Sequence, residues 1–91
     1  MISEKYIENK LRTEVKKLGG IALKFVSPAF TGVPDRLVLL PNATIYFVEL
    51  KAPKGVLSPR QLIVHEVLRK LGFSVKIIIN MEQLKDFING I

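Results

Sequence analysis

The sequence contains no cysteine and a single histidine, and these two scarcities limit the kinds of site it can build. Without cysteine there is neither a disulfide nor a thiolate metal centre, and one histidine cannot make an imidazole-rich zinc site. Any bound metal is therefore expected to be held by oxygen atoms, the donors that hard divalent cations prefer. The lone histidine, His65, has no recognisable partner in the sequence and is predicted at the surface or at the edge of the core.

Long hydrophobic runs are also missing. The longest apolar segments are a handful of residues, far short of the ~20 that a membrane-spanning helix needs. The first residues, Met1–Lys5, are largely polar and lack the apolar centre of a signal peptide. We therefore expect no membrane partner and a cytoplasmic location.

The 91 residues are predicted to form one domain, residues 1–91, since no repeat, linker or low-complexity tract interrupts them. A hydrophobic fraction of 48% is high for so short a chain and indicates a true core, with oligomerisation as a further way to bury apolar surface. The formal net charge of +6 suits a polyanionic partner such as nucleic acid, because Lys and Arg neutralise phosphates and release counterions.

Two apolar runs joined by a turn organise the chain. Residues 37–40 and 45–50 flank the turn-forming segment Pro-Asn-Ala-Thr at 41–44, and charge occurs only at the outer ends of the pair. This pattern predicts a β-hairpin with charged residues at its open end.

The hairpin register predicts which charges meet. If the hairpin folds about Asn42, the constant index sum of an antiparallel ladder places Asp35 opposite Glu49. Directly opposed Cβ atoms lie about 5 Å apart, so the two carboxylates repel unless a cation lies between them, and a divalent metal ion is the natural candidate. Side chains alternate along a strand, so Lys51 shares a face with Glu49 while Leu50 points to the other face.

The remaining segments predict the order αβββαβα. The predicted elements are a helix at residues 3–18, a strand at 21–26, the two hairpin strands, a helix from 59 to a stop at Gly72, a strand at 74–79 and a helix at 81–88. A strand, helix and strand in succession require a right-handed crossover, which makes the sheet mixed.

Three polar residues have a structural explanation as well as a functional one. Gln61 falls three residues after Ser58, which completes an S-x-x-Q capping box without any role in catalysis. In the first helix, Glu4 and Glu8 are one turn apart, and solvated surface charge explains them as well as a place in a site.

The charged end of the hairpin has the parts that phosphodiester hydrolysis needs. That reaction uses a metal ion, an activated water and a positive group for the charge of the transition state. Asp35 and Glu49 are expected to hold Mg²⁺ or Mn²⁺, with the backbone carbonyl of Leu50 as a further ligand. Lys51 would orient or help deprotonate the attacking water, or stabilise the pentacovalent charge; the sequence does not choose between these.

These residues resemble a known family. Pro34-Asp35 followed by Glu49-Leu50-Lys51 is similar to the PD-(D/E)XK pattern of the restriction-endonuclease-like superfamily. The surrounding segments, G-V-P-D-R and F-V-E-L-K-A-P-K-G-V-L-S-P-R-Q, resemble its VRR-NUC branch, the virus-type replication and repair nucleases, and the resemblance covers essentially the whole chain.

The resemblance implies both a fold and an activity. The fold would be α/β, a restriction-endonuclease-like αβββαβ(α) core with a central mixed sheet flanked by helices. The activity would be that of a metal-dependent DNA endonuclease. Stand-alone members, as found in phages, are typically homodimers directed at branched DNA such as four-way (Holliday) junctions.

Residue by residue, the resemblance assigns catalysis and metal binding. The catalytic residues would be Asp35, Glu49, Lys51 and Gln61, and the metal ligands would be Asp35, Glu49, Leu50 and a glutamate of the first helix. Glu8 is the choice for that glutamate because it lies about three turns before the Gly19-Gly20 stop, and Glu4 is the alternative.

Two other classes of function compete with the nuclease. One is a non-catalytic nucleic-acid-binding module that keeps a nuclease-like fold, which the intact pattern of Asp35, Glu49 and Lys51 argues against. The other is a pure oligomerisation domain, which would explain the hydrophobicity but leave the charged hairpin end and the basic balance without a use.

Overall fold

A computed structural model describes residues 3–91; residues 1 and 2 of the predicted domain lie outside the described part. The elements are α1 (Glu4–Lys17), β1 (Ile21–Lys24), β2 (Arg36–Leu40), β3 (Thr44–Leu50), α2 (Pro59–Lys70), β4 (Ser74–Ile78) and α3 (Met81–Asn89). The predicted order αβββαβα is confirmed. Within residues 3–91, no helix combines the length and the apolar character needed to cross a membrane.

The first strand is shorter than predicted. It ends at Lys24 rather than at residue 26. The N–H of Phe25 still donates to the backbone oxygen of Asp35 at 2.8 Å, but the chain then turns, and the N–H of Phe30 donates to the oxygen of Ser27. Pro28 lies inside this turn, where its missing N–H and fixed φ favour leaving the strand.

The four strands form one mixed sheet in the order β1-β2-β3-β4. The first three are antiparallel neighbours, and β4 runs parallel to β3, with α2 as the crossover. In the hairpin, Arg36 pairs with Val48, an index sum of 84. One further step along this register sets Asp35 against Glu49, as the hairpin pattern predicts.

The hairpin turn explains why the register is well defined. Asn42 and Ala43 both adopt positive φ, at 65° and 58°. Two consecutive left-handed residues give a turn whose twist matches that of the flanking strands, and Asn tolerates this conformation better than most residues.

The two faces of the sheet are covered by different helices. The apolar stripe of α1 and the buried residues of α3 pack on one face, in a cluster formed by Ile7, Leu11, Val15, Ala22, Val38, Leu40, Val48, Leu50, Ile78, Leu84 and Phe87. Residues of β3 that alternate with Val48 and Leu50, among them Phe47 and Glu49, point to the other face, which α2 covers. The charged end of the hairpin therefore lies beneath α2.

A glycine lets the loop before Asp35 approach α2. Gly32 has φ +90°, and a Cβ at this position would lie 2.9 Å from both Cγ and the backbone oxygen of Arg60. Arg60 holds the same loop: its Nε–H donates to the oxygen of Thr31 at 3.2 Å, and its guanidinium carbon lies 4.7 Å from the centre of the Phe30 ring. The close contact at Gly32 thus positions the segment that leads into Asp35.

Comparing Gly32→Ala with Gly72→Ala tests this contact. Gly72 also has positive φ, +97°, but a Cβ there would meet nothing within 4 Å, so it serves as a matched control for backbone strain alone. We expect Gly32→Ala to lower the free energy of unfolding by about 1–3 kcal/mol more than Gly72→Ala, because it adds overpacking to the strain. Urea denaturation measures both, and equal losses would show that the close approach is unimportant.

Candidate active site

Asp35 is held by the main chain of the sheet. Its Oδ2 accepts a hydrogen bond from the N–H of Leu50 at 3.0 Å, and its backbone oxygen accepts one from Phe25. The side chain is half-buried and stands at the open end of the hairpin. Its carboxylate therefore has little freedom to turn away from Glu49.

Glu49 lies at the centre of the site. Only 1% of it is exposed. Its Oε2 accepts a hydrogen bond from Nε2 of Gln61 at 3.4 Å and lies 3.9 Å from Nζ of Lys51. Its Oε1 faces Nε2 of His65 at 3.6 Å. Three side chains thus converge on one buried carboxyl group.

The environment of Glu49 favours its protonated form. The pKa of Glu49 is raised from 4.5 to about 8, and burial is the largest cause. Within this net rise, Asp35 contributes through a side-chain hydrogen bond and its negative charge and Glu4 adds a smaller increase, while the positive charge of Lys51 acts to lower the pKa. Burial and the nearby negative charge of Asp35 both disfavour the ionised form of Glu49.

Gln61 caps α2 and contacts the site at the same time. The Oγ of Ser58 accepts from the N–H of Gln61 at 3.1 Å, and Oε1 of Gln61 accepts from the N–H of Ser58 at 2.9 Å, which completes the predicted capping box. The amide nitrogen remains free to donate to Glu49. Because a carboxamide carries both an acceptor and donors, one side chain satisfies both roles.

His65 lies closer to Glu49 than the sequence indicated. It is fully buried, so the prediction of a surface or core-edge position is wrong. Among residues 3–91 neither ring nitrogen has a hydrogen-bond partner, and Oε1 of Glu49 also lacks one. Burial lowers the pKa of His65 from 6.5, with Arg69 as the next cause. The available signal was its position four residues after Gln61, which puts both on one face of α2.

The two glutamates of α1 occupy different surroundings. Oε2 of Glu8 lies 3.1 Å from Nη2 of Arg36, whose Nη1 donates to the oxygen of Ala22. Glu4, one turn earlier, is the α1 carboxylate whose charge contributes to the raised pKa of Glu49. The structure therefore places Glu8 in an ion pair with Arg36, while the charge of Glu4 acts weakly on Glu49.

The donor set suits a hard divalent cation that takes its other ligands from water and substrate. Among residues 3–91, no three His, Cys, Asp or Glu side chains are arranged as a metal-binding group. Mg²⁺ is commonly held by one or two carboxylates together with substrate phosphates and waters, so Asp35 and Glu49 are sufficient. The fit rests on these two carboxylates, since Oε1 of Glu49 faces Nε2 of His65 and neither of those two atoms has a hydrogen-bond partner among residues 3–91.

Comparisons with known proteins identify the family of this chain. No protein-family model matches the sequence. Over 91 residues the chain is 48% identical to "Putative nuclease p44" of Acyrthosiphon pisum secondary endosymbiont phage 1, covering all of this chain and 97% of that protein. A solved structure described as a VRR_NUC domain superimposes with a TM-score of 0.89 and 32% sequence identity, covering 94% of each chain. The chain belongs to the VRR_NUC family.

Membership of the VRR_NUC family confirms the predicted fold. The mixed four-stranded sheet and three helices form the restriction-endonuclease-like α/β arrangement. Together, the family and the phage relative support a nuclease.

The raised pKa of Glu49 predicts an unusual dependence of stability on pH. Between about pH 4.5 and pH 8 the folded chain binds more protons at Glu49 than the unfolded chain does. The free energy of unfolding should therefore fall as pH rises through this window when divalent metals are absent. Glu49→Gln should remove that part of the fall and be more stable than the wild type at pH 8.

Urea denaturation at pH 5 and pH 8 in EDTA measures this effect. Glu66→Gln, an exposed change on α2, is the control and should keep the wild-type dependence. If the free energy of unfolding of Glu49→Gln still fell with pH as much as that of the wild type, the group with the raised pKa would not be Glu49.

Proposed function

We propose that this VRR_NUC chain is a divalent-metal-dependent endodeoxyribonuclease. The observation that carries the proposal is the convergence of Asp35 and Glu49 at the hairpin end, with Lys51 and Gln61 against the same Glu49 carboxyl. A buried carboxyl with raised pKa, next to a second carboxylate and an ammonium, is costly for folding alone and is typical of a catalytic centre.

Asp35, Glu49 and the backbone carbonyl of Leu50 would hold Mg²⁺ or Mn²⁺. When bound, such an ion neutralises phosphate charge and makes a coordinated water a better nucleophile. The hydrogen bond from the N–H of Leu50 keeps Asp35 oriented toward Glu49. Gln61 keeps Glu49 from rotating by holding its Oε2.

Lys51 supplies the positive charge. It is only partly exposed, and its Nζ stays within 3.9 Å of Glu49, so the ammonium remains beside the carboxylates. Charge builds on the phosphate oxygens in the transition state, and a cation already in place stabilises it without reorganisation.

Glu4 is the better candidate for the α1 ligand. The sequence favoured Glu8, but the Glu8 carboxylate pairs with buried Arg36 on the core face. Glu4 lies at the first turn of α1, is exposed, and its charge acts on Glu49. Its carboxylate is therefore free to turn toward a bound ion.

The substrate that we propose is branched DNA such as four-way junctions, cut by a homodimer. The net charge of +6 favours a nucleic acid, and the resemblance to stand-alone VRR-NUC proteins favours branched DNA. A two-fold symmetric dimer would present two sites to one junction, which gives paired cuts a geometric basis.

A cleavage assay tests the nuclease. Labelled four-way junction, flap, linear duplex and single-stranded DNA are incubated with Mg²⁺, Mn²⁺ or EDTA. We expect cleavage that needs the metal, is fastest on branched DNA, and falls at least about a hundredfold in Asp35→Ala and Lys51→Ala. Asp86→Ala and Lys70→Ala remove the same charges at exposed positions and should cleave normally.

Lys51→Arg adds a sharper version of this test. It keeps the charge but changes the reach and hydration of the cation, so a large loss is expected. Turnover near the wild-type level in Lys51→Arg would contradict the role given to Lys51. Cleavage in EDTA would contradict the mechanism, and binding without cleavage under every condition would favour the non-catalytic binding module.

Glu4→Ala and Glu8→Ala separate the two glutamates of α1. Glu8→Ala leaves buried Arg36 without its carboxylate and should lower the free energy of unfolding by about 1–3 kcal/mol. Glu4→Ala should leave stability near wild type and raise the Mg²⁺ concentration needed for half-maximal cleavage. The opposite pattern, with Mg²⁺ dependence altered only in Glu8→Ala, would restore Glu8 as the ligand.

A further inference from the structure

A surface rich in positive charge lies between α1 and one edge of the sheet. This basic groove has a volume of about 700 Å³ and runs beside β1, one of the two edge strands. Four cationic side chains line it, together with an amide and a hydroxyl: Arg12, Lys16, Lys24, Arg36, Asn9 and Thr13. In the part of the chain that the structure describes, no carboxylate lines the groove.

The side chains from α1 come from one helical face. Positions 9, 12, 13 and 16 follow the i, i+3, i+4, i+7 spacing that brings residues into line along a helix. Asn9, Arg12 and Lys16 can donate hydrogen bonds to a ligand, whereas the hydroxyl of Thr13 already donates to the backbone oxygen of Asn9 at 3.0 Å. All four residues are exposed, so this strip of α1 is accessible beside the sheet edge.

The cations of the basic groove lack the ion pairs that other lysines of α1 make. Lys10 and Lys17 both pair with Glu14, at 3.5 and 3.4 Å. Arg12 and Lys16 have no ion-pair partner among residues 3–91. Being four residues apart, they also repel each other along the helix.

On the sheet side of the basic groove, two further cations lie next to each other. Lys24 is directly opposite Arg36 in the β1-β2 register, and like charges in that relation are unfavourable. The carboxylate of Glu8 offsets the charge of Arg36, but Lys24 has no ion-pair partner within the described residues. Arg36 also has a buried Nε–H without an acceptor there. An anion bound in the groove would weaken the repulsion between Arg12 and Lys16 and also that between Lys24 and Arg36. In the folded chain without such an anion, both repulsions remain.

The basic groove adjoins the active site but faces another direction. Arg36 follows Asp35 in the chain, and the register places Lys24 beside it. Because side chains alternate, Arg36 points to the α1 side of the sheet while Asp35 and Glu49 lie on the α2 side. A DNA strand bound in the groove would therefore leave the cleavage site in a different direction from one bound beneath α2.

We propose that the basic groove binds the sugar-phosphate backbone of a second strand of the DNA substrate, outside the cleavage site. This inference rests on the proposed function, and it supplies a reason for branched DNA, whose strands diverge at one point. Positions 9–16 of α1 span about 10 Å, and each strand carries one phosphate per 3.4 Å or so of duplex axis, so a duplex arm lying along α1 would bring about three phosphates of one strand within this length.

An acidic peptide is the competing occupant. It would have to add to the edge strand, but β1 has only four residues, which is short for strand pairing. The groove offers cations and the amide of Asn9 spaced along a line, and phosphate oxygens are acceptors for both kinds of donor. Nucleic acid is therefore the better fit.

Two triple variants test the basic groove. R12A/K16A/K24A removes three groove charges, and the control K70A/K76A/K85A removes three exposed lysines elsewhere. Binding of a four-way junction in EDTA is measured as a function of salt. We expect the groove variant to bind more than tenfold more weakly at low salt, with a salt slope smaller by about three, and the control to change much less. At saturating enzyme with Mg²⁺, the cleavage rate of the groove variant should stay near wild type.

The possible results distinguish a failure of the groove proposal from a failure of the proposed nuclease function. Equal effects of the two triple variants on binding would overturn the groove while leaving the nuclease intact. A groove variant that lost binding to polyglutamate but kept the junction salt slope would assign the groove to an acidic peptide instead. A wild-type chain that failed to bind DNA at all would overturn both the groove and the proposed function.

Discussion

The opposition of two carboxyl groups at the open end of the hairpin is the constraint on which the rest of the site depends. Asp35 is tied by a main-chain hydrogen bond from Leu50, and Glu49 is almost completely buried. Neither can move away without breaking the sheet end. Burial, together with the hydrogen bond and charge of Asp35, raises the pKa of Glu49 to about 8, and a cation bound beside it would favour the ionised form again.

One helix supports this arrangement in three ways. At the first turn of α2, Arg60 holds the loop that leads into Asp35, and Gly32 permits that loop to approach closely. Gln61 closes the cap of α2 and donates to Glu49. One turn later, His65 fills the space behind Glu49. The cap, the loop and the site are therefore mechanically linked, since a shift of α2 would disturb all of them.

The sheet divides the chemistry between its two faces. On the α2 side are the carboxyl pair and Lys51; on the α1 side are the apolar core and the basic groove at the edge strand. Alternation along β2 sends adjacent residues Asp35 and Arg36 to opposite sides. A single strand thus sets the positions of both the carboxyl pair and the basic groove, on opposite sides of the sheet.

The element order, the hairpin register and the grouping of Asp35, Glu49 and Lys51 were all determined by the sequence itself. Each depends on local pattern, because turn residues, period-two alternation and a constant index sum act within one hairpin. The burial of His65 against Glu49, the double contact of Gln61 and the separation of Glu4 from Glu8 were decided only by tertiary structure. They depend on the rotation and height at which α1 and α2 pack on the sheet, and a helical pattern shows which residues share a face but not which distant side chain that face will meet.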